Sequence, residues 1–216
     1  MIDSGTGVSG RPILNVDMTL PGIIGLATAV LGLGLMVAHG FGQDGVRLGS
    51  EWTWRFASFV FFAAAVAGPV CRLVPGLKGL EAQCRQVIWS FCASYGVFLA
   101  SLLLPNALGG VTHDETTSGM ILFCLFGGGA MAMMAWSAGR GAAERVGEKT
   151  RRALLSVSGS FFWLSYALTG LAHLSGPHRP DAFYGISLSL MILALLLRFA
   201  DRLVAKLRGT LAVSAP

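Results

Sequence analysis

Apolar residues run along this chain in six long blocks, each closed by glycine, proline or charge. They are Leu20–His39, Trp54–Leu73, Val87–Leu104, Gly119–Ala138, Leu155–Leu174 and Phe183–Phe199. A helix needs about 20 mostly apolar residues to cross the hydrocarbon core of a bilayer. The pattern therefore predicts an all-α membrane protein, a six-transmembrane-helix bundle. Pro21 suits a helix start, Pro69 falls near the end of the second block, and Pro105 is expected to stop the third. The polar segments between blocks are short, so successive helices should pack antiparallel. Three regions follow: an N-terminal tail (1–18), a transmembrane domain (19–200) and a basic C-terminal tail (201–216). The helical pattern of the last block continues past the membrane from Arg198 to Arg208.

Composition fixes the solvent. Hydrophobic residues make up 54% of the chain and charged residues 12%, where soluble domains carry about 25% charge. With a mean hydropathy of +0.66, the surface has to face lipid. The net charge of +5 does not point to nucleic acid, because the basic residues gather at the ends of the apolar blocks. Thirteen of the 16 Lys and Arg residues fall on one side of a six-span drawing, and only Arg47, Arg55 and Arg179 on the other. Basic residues are retained on the cytoplasmic side, so both termini are expected there, in a multi-pass protein of the bacterial inner membrane. The tail before Met18 has no basic stretch leading directly into an apolar run, so no cleaved signal is read.

Candidate chemistry is sparse. All four histidines fall on the side opposite the basic residues. His39 and His173 close the first and fifth blocks at similar depth, where neutral imidazoles could ligate one b-type haem. His113 and His178, with Asp114, Glu115 or Asp181, could form a mixed nitrogen and oxygen shell for zinc, copper or iron. Histidines at helix ends also sit in the headgroup layer and bond water or phosphate. Towards the middle of the bundle the polar groups singled out are Thr28, Ser58, Ser94, Tyr95, Ser165, Tyr166 and Thr169. Ionisable residues there would mark a transport pathway. They occur only towards block ends, as Arg55, Arg72 and Arg198, which disfavours a small transporter. Gly127-Gly-Gly129 offers either close packing or room for a flat ligand. The pairs Gly25/Ala29 and Ala64/Gly68 let helix backbones approach. Trp52, Trp54 and Tyr184 on one side, and Trp89 and Trp136 on the other, are expected in aromatic belts. Cys92 and Cys124 read as packing residues. Cys71 and Cys84 lie on the cytoplasmic side, where thiols stay reduced. No CxxC pair suggests zinc or redox chemistry, and no catalytic set is marked.

The stretch from Leu48-Gly-Ser-Glu-Trp-Thr-Trp-Arg-Phe to Ala67-Gly-Pro-Val-Cys-Arg-Leu73 resembles the bacterial ferric-reductase-like transmembrane family. That family includes the haem-binding membrane subunit of the periplasmic methionine sulfoxide reductase system. The likeness extends over roughly residues 48–200, with Arg85 and Tyr95 at similar places in and before the third span. It implies six spans and haem held by histidine pairs of the third and fifth spans. This chain departs from that pattern. Its third span has Phe98 and Leu99 at the outer ligand position, and Ser160 stands where the inner partner of His173 would be. The expected protein is an accessory or scaffold subunit that binds lipid and another membrane or periplasmic subunit. The alternative is a single-haem electron-transfer protein using His173 and His39. No flavin or nicotinamide domain accompanies it on this chain.

Overall fold

The computed structural model describes residues 19–74, 76–77, 81–107, 117–139, 141–175 and 181–213. Among these every regular element is a helix: α1 (Thr19–Ala38), α2 (Gln43–Leu73), α3 (Glu81–Ala107), α4 (Thr117–Ala138), α5 (Ala142–Val146), α6 (Glu148–Ser175) and α7 (Ala182–Val213). Five of them, α1, α2, α3, α6 and α7, are long and apolar enough to cross a membrane, and α4 contributes a shorter apolar segment, Leu122–Ala138.

The distribution of side chains explains why this is a membrane bundle. Large aliphatic and aromatic groups point outward: Ile23, Leu26 and Val30 on α1, Leu125 and Phe126 on α4, Leu196 and Phe199 on α7 are all more than half exposed. Buried positions meanwhile include nine Ser and Thr residues. In water this arrangement would expose an aggregation-prone surface. In lipid it costs little, because small hydroxyls let backbones approach and find bonds locally. The hydroxyls of Ser58, Ser90 and Ser158 bond carbonyls three or four residues back. Others reach across helices. The Thr28 hydroxyl donates to the Ile24 carbonyl at 2.7 Å and lies 3.1 Å from the Ser94 hydroxyl on α3. The Thr53 and Ser101 hydroxyls are 3.3 Å apart between α2 and α3.

Packing closes a ring in the order α2, α3, α4, α6, α7 and back to α2, with α1 laid outside against α2 and α3. The α1–α2 crossing is built on glycines. A methyl at Gly32 would come within 2.7 Å of Thr53 Cγ2, and one at Gly49 within 2.9 Å of the Gly32 carbonyl oxygen. Of the small-residue pairs expected from the sequence, Gly25 does meet Ala93 of α3. Gly68 meets only Arg72 of its own helix. The ends also differ from the sequence reading. α2 begins at Gln43, well before Trp54, so the polar segment 43–53 is helix and only a short turn separates it from α1. α3 runs past Pro105 to Ala107, since a proline in the last turn removes few backbone bonds. α7 continues to Val213 without a break, in keeping with the basic helical extension expected beyond Arg198.

The core is aromatic. Phe61, Phe91, Tyr95, Phe162 and Tyr166 are almost completely buried and touch one another, with Trp54 and Phe98 capping them. Ring centroids lie 4.8 Å apart for Phe91–Phe162 and Tyr95–Phe162, and 4.3 Å for Trp54–Tyr166. Trp54 therefore belongs to the interior rather than to an aromatic belt. Trp52, one helical step away, remains exposed.

Candidate functional site

The chemistry-bearing side chains meet at the end of the bundle where α2 and α7 begin and α1, α3 and α6 finish. Glu51 and Arg55 are four residues apart on α2, so helical geometry stacks them on one face. Their side chains are in direct contact. Asp181 precedes α7 and caps it: Oδ1 accepts the Phe183 N–H at 2.9 Å, the bond expected of an N-cap aspartate. Its other oxygen, Oδ2, lies 2.6 Å from the Arg55 guanidinium. Arg55, paired with Glu51 of its own helix, thus clamps α2 to the start of α7 through the Asp181 carboxylate. Three rings surround the same cation, with its centre 4.8 Å from Phe183, 5.1 Å from Trp52 and 5.5 Å from Tyr184. The Phe183 N–H and the Arg55 guanidinium together hold the Asp181 carboxyl below its ordinary range.

His173 joins this group from the last turn of α6. Its ring lies flat on Tyr184, with centroids 3.9 Å apart and planes 14° apart. Nδ1 is 2.9 Å from the Thr169 carbonyl oxygen. A neutral imidazole donating from Nδ1 to that carbonyl keeps its lone pair on Nε2. An open cavity of about 500 Å³ runs between these groups, lined by Arg47, Glu51, Arg55, His173, Asp181 and Tyr184, with Trp54 and Phe98 at its floor. Two cations and two anions balance on its wall. Such a lining suits a dipolar or zwitterionic group better than a bare ion. Ser50 also borders the cavity, and its hydroxyl donates to the Arg47 carbonyl at 3.0 Å.

Of the residues singled out from the sequence, His173 lines this cavity. His39 sits exposed on the turn after α1. α1 packs on α2 and α3, and α6 on α4, α5, α7 and the edge of α2. A haem between the two histidines would need a slot inside the bundle, and the space between α2, α3 and α6 is filled by the aromatic core. His113, Asp114, Glu115 and His178 lie outside the described residues. Among the described residues no three His, Cys, Asp or Glu side chains converge in a way that could hold a metal ion.

From the sequence Arg55 reads as an end-of-span charge and Asp181 as an oxygen donor beside His113 and His178, while Glu51 carries no reading of its own. The spacing of Glu51 and Arg55 was a usable signal for a local pair, but nothing local ties either to Asp181, 126 residues beyond Arg55. Comparison of the chain with protein-family models, curated proteins and solved structures found no match.

Proposed function

We propose that this chain is an integral membrane accessory subunit of ferric-reductase-like type, in which a packed aromatic interior stands where a haem framework would be. In this reading α4 is the sixth span. Its 22 residues reach about 33 Å at 1.5 Å per residue, enough to cross the hydrocarbon core. Both termini then lie in the cytoplasm of a bacterial inner membrane, with the basic residues of α6 and α7 beside them. The observation that supports the reading is the continuous contact of Phe61, Phe91, Tyr95, Phe162 and Tyr166 across α2, α3 and α6. A bundle built to carry a planar cofactor keeps an open slot between such helices. The charge-balanced cavity at the outer end is the surface this reading offers to a polar segment of a partner subunit.

Purification from the native membrane in a gentle detergent is expected to recover a second protein in near-stoichiometric amount. A lone, monodisperse chain would count against the accessory role. The same preparation, made with haem supplied during expression, is expected to be colourless. A reduced-minus-oxidised Soret band that disappears in His173→Ala would replace this reading by a one-haem electron carrier using His173 Nε2. For the orientation, a C-terminal alkaline phosphatase fusion should be inactive and a green fluorescent protein fusion bright. The reverse result would place the basic end outside.

A further inference from the structure

The other end of the bundle carries a pair of thiols that the sequence spacing does not advertise. Cys71 lies in the last turn of α2 and Cys84 in the first turns of α3, and their Sγ atoms are 3.2 Å apart. We propose that Cys71 and Cys84 form a redox-active dithiol, which closes to an intramolecular disulfide when it meets a low-molecular-weight disulfide.

The geometry assigns each thiol a part. The sulfurs need to travel about 1.2 Å to reach the bonded separation of about 2 Å, a shift within reach of side-chain rotation at two helix ends. Cys71 is 7% exposed. Cys84 is half-buried, and its neighbours Gln83 and Arg85 are exposed. Cys84 is therefore the entry thiol and Cys71 the resolving one. As thiolate, Cys84 attacks one sulfur of the external disulfide. The external S–S bond breaks, one thiolate leaves, and it takes up the proton that Cys84 gave to solvent. Cys71 then loses its proton, attacks the Cys84 sulfur of the mixed disulfide and expels the second thiolate, which is protonated in turn. Two protein thiols are oxidised and one external disulfide is reduced to two thiols. The positive charge of Arg85 beside the entry thiol favours an anionic disulfide such as a carboxylate-bearing peptide.

In a reducing compartment such a pair stays open at rest and closes under oxidation. Closure has a structural consequence. Arg72, next to Cys71, donates to the Asp201 carboxylate of α7 at 2.7, 3.0 and 3.1 Å. A bond between Cys71 and Cys84 ties the end of α2 to the start of α3 one residue from this contact, and so links α3 to α7 through α2. Cys92 and Cys124 are buried within α3 and α4 and serve as internal references.

The test uses the full-length protein in detergent or nanodiscs, with oxidised glutathione as the probe. After treatment the protein is denatured, labelled with a maleimide and mapped by peptide mass spectrometry. Cys71 and Cys84 are expected to lose their label together, with a cross-linked peptide lighter by the two thiol hydrogens. Cys92 and Cys124 keep theirs, and dithiothreitol restores the lost labels. In Cys71→Ser a glutathione adduct should accumulate on Cys84. The proposal is overturned if the wild-type thiols stay labelled, if a glutathione adduct persists on wild-type Cys84, or if the cross-link joins two chains.

Discussion

Arg55→Met is expected to lower the stability of the detergent-solubilised protein by about 2–3 kcal/mol, read as an earlier midpoint in an SDS titration. The Arg55 side chain is only 13% exposed, whereas Glu51 and Asp181 remain 36% and 40% exposed. Removing one partner from a fully buried charge pair costs about 3–5 kcal/mol, because the other is left without compensation. Here water still reaches both carboxylates, which lowers that figure. Loss of the cation from three aromatic faces restores part of it, at about 0.5–1 kcal/mol for each well-placed ring. Arg47→Met is the control. Arg47 sits 3.9 Å from Asp44, with both side chains at least 80% exposed, so its removal should be nearly silent. Acid reads the same contact. The Asp181 carboxyl is held below its ordinary value of 3.8, so its contribution is complete above that value and is lost as pH falls through the lowered one. Wild type should therefore lose stability at the acid end of a titration, and Arg55→Met should lose less over the same range.

Much of this architecture was legible in the sequence, because span length and hydropathy are local properties. The apolar blocks anticipated the helices, and the basic continuation of the last block anticipated the long α7. What escaped was whatever depends on which faces meet. Trp54 carried the composition of a belt residue. Its place in the core follows from contacts with Tyr166, Phe98 and Tyr95, residues drawn from two other helices. Residues 43–53 read as a loop because they mix charge with glycine. They are helix because Gly45 and Gly49 allow α2 to pass close to the end of α1.

The site was only partly legible for the same reason. His173 was found from its position at a block end, and it does border the cavity. Its partners there, Tyr184 and the Arg55 clamp, come from α7 and α2, so no spacing rule could have joined them. The same limit hid the thiols. Cys71 and Cys84 are too far apart in sequence for a redox motif, yet the last turn of α2 and the first turns of α3 place them side by side. The two features lie at opposite ends of α2 and α3, and both helices take part in each.

The second large effect is expected at Gly127, where a double-mutant cycle with Tyr95 decides what the glycine run is for. A methyl at Gly127 would overlap the Tyr95 hydroxyl. The ring cannot swing aside, because it is wholly buried and packed on Phe91, Phe98 and Phe162. Gly127→Ala should therefore cost about 1–3 kcal/mol, the usual price of overpacking. Tyr95→Phe should be neutral or stabilising, since the hydroxyl it removes is buried and has no hydrogen-bond partner among the described residues, and such a group costs about 1–3 kcal/mol to keep. With the hydroxyl gone, the nearest ring atoms to the new methyl are 3.2 and 3.4 Å away, a contact that small adjustments relieve. The double variant should then recover most of the loss, giving a coupling of about 1–2 kcal/mol, within the range seen for residues in contact. That outcome would assign Gly127 to housing the Tyr95 phenol and leave no room there for a flat ligand. A Gly127→Ala variant as stable as wild type would instead mean that the space beside Tyr95 is larger than the packed ring requires, and would return the glycine run to consideration as a binding surface.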